Sequence, residues 1–154
     1  MGGGGVDGAI HEEAGPELLD ACKEIRRTKY PDGLPVGEAV ATPAFDLPAR
    51  IVIHTVAPKK GKDPLEKLRD CYLNALRLAD RYRCESIAFP ALGTGAYGIP
   101  IDYSAQTAKD ILTTYKPFCV RKVFLVLLGD EHYRIYKTFF HEDKENTTET
   151  TTKT

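Results

Sequence analysis

The 154-residue sequence predicts an α/β protein with a mixed, largely parallel sheet and helices on both faces. Three observations carry this. Short β-branched runs alternate with segments whose apolar residues recur at helical spacing. The run Ile51-Val52-Ile53 is continuously apolar, as in a strand covered on both faces. A glycine-rich stretch, Ala91 to Pro100, stands between a strand-like run and a helix-like one, where ligands meet the carboxyl ends of parallel strands.

The elements follow in order. From Asp7 to about Lys29 the apolar residues Ile10, Ala14, Leu18, Ala21, Cys22 and Ile25 keep near-helical spacing, with Gly15-Pro16 as a break. Tyr30-Pro31-Asp32-Gly33 is a turn signal. Gly37 to Thr42 and Ala49 to Val56 read as strands. Asp63-Pro64 is expected to cap and open a helix running to about Tyr82, its apolar face formed by Leu65, Leu68, Tyr72, Ala75, Leu76 and Ala79. Ser86 to Leu92 reads as a buried strand, Asp102 to about Tyr115 as a helix, Val120 to Leu128 as the strongest strand, and Glu131 to Phe140 as a last helix. One domain is expected over residues 1–141, followed by a polar, threonine-rich tail, 142–154, without structure.

Composition narrows the function classes. A net charge of −1 with no basic stripe argues against nucleic acid as a partner. No apolar run reaches the length of a membrane span, and no targeting signal is visible. Cys22, Cys71, Cys84 and Cys119 lack metal-ligand spacing and read as reduced, buried thiols, which fits an intracellular, cytoplasmic or nuclear compartment. His11-Glu12-Glu13-Ala14-Gly15 lacks the second histidine of a zinc-binding helix, so no metal is expected.

The chemistry concentrates in two glycine loops, Met1 to His11 and Ala91 to Pro100. Glycine lets a backbone approach a ligand closely, and a helix N-terminus favours an anion. Two such loops suggest a diphosphate held from both sides. Asp7 and His11 form an i, i+4 pair on one helical face. They read either as a cap with a half-buried neighbour or as groups that aim a water at a bound sugar or ester. Gly93-Thr94-Gly95-Ala96-Tyr97-Gly98 also matches a nicotinamide-dinucleotide fingerprint, but the next strand ends near Asp130, well beyond the roughly 20 residues that fingerprint calls for, and only that one strand remains.

Several ordered motifs together resemble the macro domain family. Gly2 to His11 followed by Ala14-Gly15-Pro16 looks like the family's first ligand loop. Gly37 to Thr42 and Ile53-His54-Thr55-Val56-Ala57-Pro58 look like the strands after it. Cys71-Tyr72-Leu73-Asn74-Ala75-Leu76 resembles the long helix, and Ser86 to Pro100 the diphosphate loop. The resemblance implies a three-layer α/β/α sandwich that binds ADP-ribose or an ADP-ribosylated protein. The form Gly5-Val6-Asp7-Gly8-Ala9-Ile10-His11 is similar to the hydrolytic branch, which cleaves ADP-ribosyl esters on proteins or O-acetyl-ADP-ribose.

That implies Asp7 and His11 as the catalytic pair, with Asp7 directing water. Tyr97 would pack on the distal ribose. Gly93, Thr94, Gly95 and Ala96 would offer N–H groups to the diphosphate. Gly3, Gly4, Gly5, Val6 and Ile10 would wall the opposite side. No cofactor is implied. A binding module without catalysis is the alternative. The family pattern places a strand ending in Asn-Ala-Ala-Asn, interior to the sheet, ahead of the first loop; the sequence here starts at Met1-Gly2, so an N-terminally truncated form of the fold is expected. Glu12 stands where hydrolytic members often have arginine, and Leu128 where some offer adenine an aromatic ring.

Overall fold

The computed structural model describes residues 5–140 and 148–153. Helices α1 (Gly5–Ala14) and α2 (Pro16–Thr28) precede strands β1 (Ala39–Pro43) and β2 (Ile51–Thr55). Helix α3 (Lys67–Arg81), β3 (Ser86–Phe89), α4 (Ile101–Thr114), β4 (Lys122–Leu128), α5 (Asp130–Phe140) and β5 (Thr148–Lys153) complete the order.

The first helical stretch breaks at Gly15, whose φ of +89° lies in the region that favours glycine, and Pro16 then opens α2. A Cβ at position 15 would stand 2.8 Å from the Asp46 carboxylate. The helix expected from Asp63 begins later, at Lys67. Asp63 Oδ2 instead accepts the Lys59 N–H at 2.9 Å, and tight turn bonds such as Lys67 N–H to Pro64 O fill the interval. Its carboxylate closes the basic loop rather than capping the helix.

The strands form two sheets, β1-β2 antiparallel and β3-β4-β5 parallel. Strand β5 departs from expectation. The threonine run at 148–153, predicted to be an unstructured tail, pairs along β4 from Val123 to Leu128. One force explains this: β4 has a second ladder edge to satisfy. Residues 142–147 and 154 of that tail lie outside the described residues.

The main core joins α3, α4, α5, β3 and β4. Leu68, Tyr72, Leu76, Leu125, Leu127 and Tyr136 are fully enclosed there, each contributing about 1.5–3 kcal/mol of burial. The Tyr72 and Phe89 rings meet at 5.1 Å between centroids. Inside this core Ser104 Oγ lies 3.0 Å from the Leu92 carbonyl, 3.0 Å from Tyr136 Oη and 3.4 Å from Tyr72 Oη. The carbonyl can only accept, so Ser104 donates to it and receives both tyrosine protons. Three buried hydroxyls are thereby satisfied, and the entry to the 91–100 loop is pinned.

Asp80 anchors the approach to β4. Its carboxylate accepts the Tyr115 hydroxyl and the N–H groups of Phe118, Cys119 and Val120 at 3.1, 2.8 and 2.9 Å. A second, smaller cluster of Ala14, Leu18 and Cys22, with Ile10 and Val52 against it, holds α1 and α2 to the β1-β2 sheet.

Candidate functional site

A cavity of about 1410 Å³ lies where α1, the end of β2 and the loop after β3 converge. Val6, Asp7, Ile10, His11 and Tyr97 all line it, so residues distant in sequence meet as the glycine loops predict. Gly5 is the first residue of α1, while Gly3 and Gly4 lie outside the described residues. Gly93, Thr94, Gly95 and Ala96 sit in the same loop as Tyr97 but are not among the lining residues.

The turn geometry of that loop follows from its glycines. Gly93 adopts φ +80° and Gly98 φ +75°. A Cβ on Gly93 would meet Ile99 Cδ1 at 2.4 Å, so only glycine allows the loop to fold down onto Ile99. The N–H groups of Thr94, Gly98 and Ile99 bond within the loop, to Ala91, Gly95 and Gly93 carbonyls. Those of Gly95, Ala96 and Tyr97 take no backbone acceptor among the described residues. Consecutive open N–H groups make a concavity suited to an anion. The Tyr97 carbonyl accepts the Lys60 N–H at 2.9 Å, tying the tip to the basic loop, while its ring is 41 % exposed.

On the opposite wall His11 Nε2 stands 3.5 Å from Asp7 Oδ1. The His11 side chain is only 9 % exposed and Asp7 49 % exposed. Among the described residues neither ring nitrogen of His11 has a hydrogen-bond partner, the 3.5 Å contact to Asp7 Oδ1 being long for one. The pair therefore presents a solvent-facing carboxylate with an imidazole behind it.

Reasoning from sequence missed His54, which also lines the cavity. Its Nε2 lies 2.9 Å from Thr42 Oγ1, and the Cys22 thiol lies 3.9 Å from both ring nitrogens. Equal distances put the sulfur against the ring rather than along one nitrogen lone pair. Burial holds the His54 pKa below its ordinary value; the neighbouring His11 charge adds to this and Asp7 opposes it. A histidine directly after the apolar run Ile51-Val52-Ile53, on the same strand, was the available signal. Burial, followed by the Asp7 charge, pushes the Cys22 thiol up, so it is not a poised nucleophile. All four cysteines are free, as expected. No cluster of metal-ligating side chains occurs among the described residues, and none of the helices there is long and apolar enough to cross a membrane.

The Macro domain family profile matches residues 1–108. A relative from Escherichia fergusonii named O-acetyl-ADP-ribose deacetylase is 45 % identical over 145 residues, covering 88 % of this chain and 78 % of its own. A Streptomyces griseus macro domain-containing protein is 51 % identical over 135 residues, covering 86 % and 76 %. An Oceanobacillus iheyensis macrodomain variant solved with ADPR superposes with a TM-score of 0.86 at 40 % identity, over 92 % of this chain and 79 % of that one.

Proposed function

Because this chain belongs to the macro domain family, we propose that it binds ADP-ribose across the cavity and hydrolyses an ester on the distal ribose. The observation that carries the reading is the convergence of Asp7, His11 and Tyr97 on one cavity, with open N–H groups at Gly95, Ala96 and Tyr97 beside it. The diphosphate rests on those N–H groups, whose partial positive charge needs an anion. The Tyr97 ring covers the distal ribose. Val6 and Ile10 close the far wall.

Asp7 is the general base. Its carboxylate takes a proton from a water whose oxygen attacks the ester carbonyl carbon. The bond from that carbon to the ribose oxygen then breaks, and the proton returns to the ribose oxygen. The products are a carboxylic acid and ADP-ribose. His11, too enclosed to reach substrate freely, orients Asp7 from behind. The acid half of the ester can be acetate or a protein carboxylate; the same bond breaks in both.

The test is single-turnover release of ADP-ribose from O-acetyl-ADP-ribose and from a glutamate-linked protein substrate. Asp7→Ala should slow release by about a hundredfold to ten-thousandfold and leave ADP-ribose affinity equal or higher, since a negative charge leaves the anion site. His11→Ala should cost less. Equal rates for Asp7→Ala and parent would overturn the catalytic assignment. The long Asp7–His11 contact favours a second reading, binding without turnover. It predicts ADP-ribose binding by calorimetry with no hydrolysis of either ester. Titration with NAD in the same cell separates both from a nicotinamide-dinucleotide site.

A further inference from the structure

The loop between β2 and α3 carries Lys59, Lys60 and Lys62, all exposed. None of the three forms an ion pair among the described residues. The Asp63 carboxylate turns to backbone instead, accepting the Lys59 N–H at 2.9 Å. The Lys59 carbonyl in turn accepts the N–H groups of Lys62 and Asp63 at 3.0 and 2.9 Å, and Gly61 takes a φ of +85°. Three positive side chains thus stand on a closed, hydrogen-bonded turn.

A run of lysines is by default a solvated face, so its position decides what it can do. This turn is joined to the tip of the 91–100 loop. The Lys60 N–H donates to the Tyr97 carbonyl at 2.9 Å, and a Cβ on Gly98 would stand 3.7 Å from Lys60 Cβ. Lys62 lines the same cavity as Asp7 and Tyr97. The lysines therefore stand at the mouth of that cavity, on the Tyr97 side. The open N–H groups of Gly95, Ala96 and Tyr97 already give a diphosphate its own seat.

Resting on the ADP-ribose reading above, we infer that this turn recognises acidic residues flanking an ADP-ribosylated carboxylate in a protein substrate. In that reading Tyr97 covers the distal ribose, so the acyl half of the ester leaves the cavity beside the lysines. Acetate ends there. A glutamate or aspartate side chain leads on to a peptide, whose neighbouring residues pass the three ammonium groups. Lysine suits that task. Its compact charge on a flexible stem meets carboxylates in varied positions, without the fixed fork that arginine imposes. Nucleic acid calls for a broad basic face, and the net charge here is −1. Exposed charges of this kind choose among partners and steer their approach more than they hold them.

The experiment uses the full chain, free ADP-ribose and two mono-ADP-ribosylated peptides. Both peptides are joined through an amide in place of the ester, so no turnover is required. One has glutamates on both sides of the modified residue; the other has glutamines there. Calorimetry is run at low salt and at about 0.5 M NaCl, on the parent and on a variant carrying Lys59→Gln, Lys60→Gln and Lys62→Gln. The backbone N–H groups that hold the turn remain in that variant, and the peptide comparison in the parent stands whether or not the variant folds.

We expect the parent to bind the glutamate-flanked peptide about tenfold tighter at low salt, with the gap closing at high salt. In the variant the two peptides should bind alike, while free ADP-ribose keeps its parent affinity within about threefold. Equal affinity of the parent for both peptides, with free ADP-ribose still bound, overturns this inference and leaves the ADP-ribose reading standing. A preference that survives in the variant places the recognition elsewhere and overturns it as well. Equal losses for free ADP-ribose and for the acidic peptide would make the lysines part of the diphosphate seat, again against the inference. If free ADP-ribose itself does not bind, the ADP-ribose reading falls first and takes this one with it.

Discussion

The loop at 91–100 stands on β3 and α4, whose contacts close around the hydroxyls of Tyr72, Ser104 and Tyr136. Asp7 and His11 stand instead on α1, which reaches the rest of the molecule through the small cluster of Ala14, Leu18 and Cys22. On the first side every buried polar side chain named above has a partner. On the second, His11 is buried with its long contact to Asp7 and no hydrogen bond among the described residues, and the neighbouring strand β2 is half-buried throughout. The comparison teaches that the groups suited to holding an anion are fixed by completed packing. The groups we assign to chemistry sit on a wall where, among the described residues, the buried His11 ring has no hydrogen-bond partner. Strain and unsatisfied groups of this kind concentrate at functional sites.

The largest effect should come from dismantling the fixed side. Asp80→Ala removes the acceptor for the Tyr115 hydroxyl and three N–H groups ahead of β4. Denaturant unfolding should report a loss of about 3 kcal/mol. Desolvation raises the Asp80 pKa, but the hydrogen bonds outweigh it and hold the carboxyl below its ordinary range. A depressed carboxyl pKa stabilises above the unfolded value and that stability is lost as pH falls through the folded one. The variant should therefore lose the parent's acid sensitivity in that range, and an unchanged acid limb would show that Asp80 is not the group responsible.

Gly95→Glu probes the anion seat without disturbing its support. A Cβ at Gly95 meets nothing within 4 Å and the residue has no positive-φ constraint, so the variant should melt like the parent. A carboxylate beside the diphosphate should weaken ADP-ribose binding by about a hundredfold in calorimetry. Normal affinity in a folded sample would move the diphosphate elsewhere.

Ser104→Ala should cost about 2 kcal/mol, because the Tyr72 and Tyr136 hydroxyls lose their shared acceptor inside the core. The discriminating readout is ADP-ribose affinity. If the network positions the loop through Leu92, affinity falls as well as stability; a stability loss alone would confine its role to packing.

The smallest effect belongs to the open side. His54 is half-buried with its pKa held below the ordinary 6.5 by that burial, so the unfolded chain binds its proton more readily. Stability is then full above the unfolded pKa and declines as pH falls through it toward the folded value. Melting temperature should drop between about pH 7.5 and 5.5, and His54→Gln should flatten that slope. A slope unchanged in the variant would assign the transition to another group.

Much of this was readable before folding. Helical spacing located α2, α3 and α4, and Gly15-Pro16 marked a true break, because backbone φ preferences act locally. That Asp7 and Tyr97 line one cavity agrees with reading the two glycine-rich loops together. Asp63 misled because its carboxylate accepts the Lys59 N–H inside the preceding loop instead of an N–H of the helix. His54 was overlooked because its role depends on Cys22 and Thr42, which are distant in sequence. The division into two sheets depends on which edges find partners, and strand pairing is non-local. The pairing of 148–153 with β4 likewise reflects an edge to be filled, not the polarity of the threonines.

The bond from Lys60 N–H to the Tyr97 carbonyl has a consequence for how the molecule is attacked from outside. An exposed glycine-rich turn is ordinarily a preferred place for a protease to cut, since its chain can be drawn out into a cleft. Here the carbonyl at the tip is held from the neighbouring loop, and Gly93 is seated on Ile99. Nicking between residues 93 and 98 should therefore be slow, with scission beginning in the basic loop, where Lys59, Lys60 and Lys62 are all exposed to trypsin. Once that loop is cut the tether is gone, and the glycine turn should become the second place to give way.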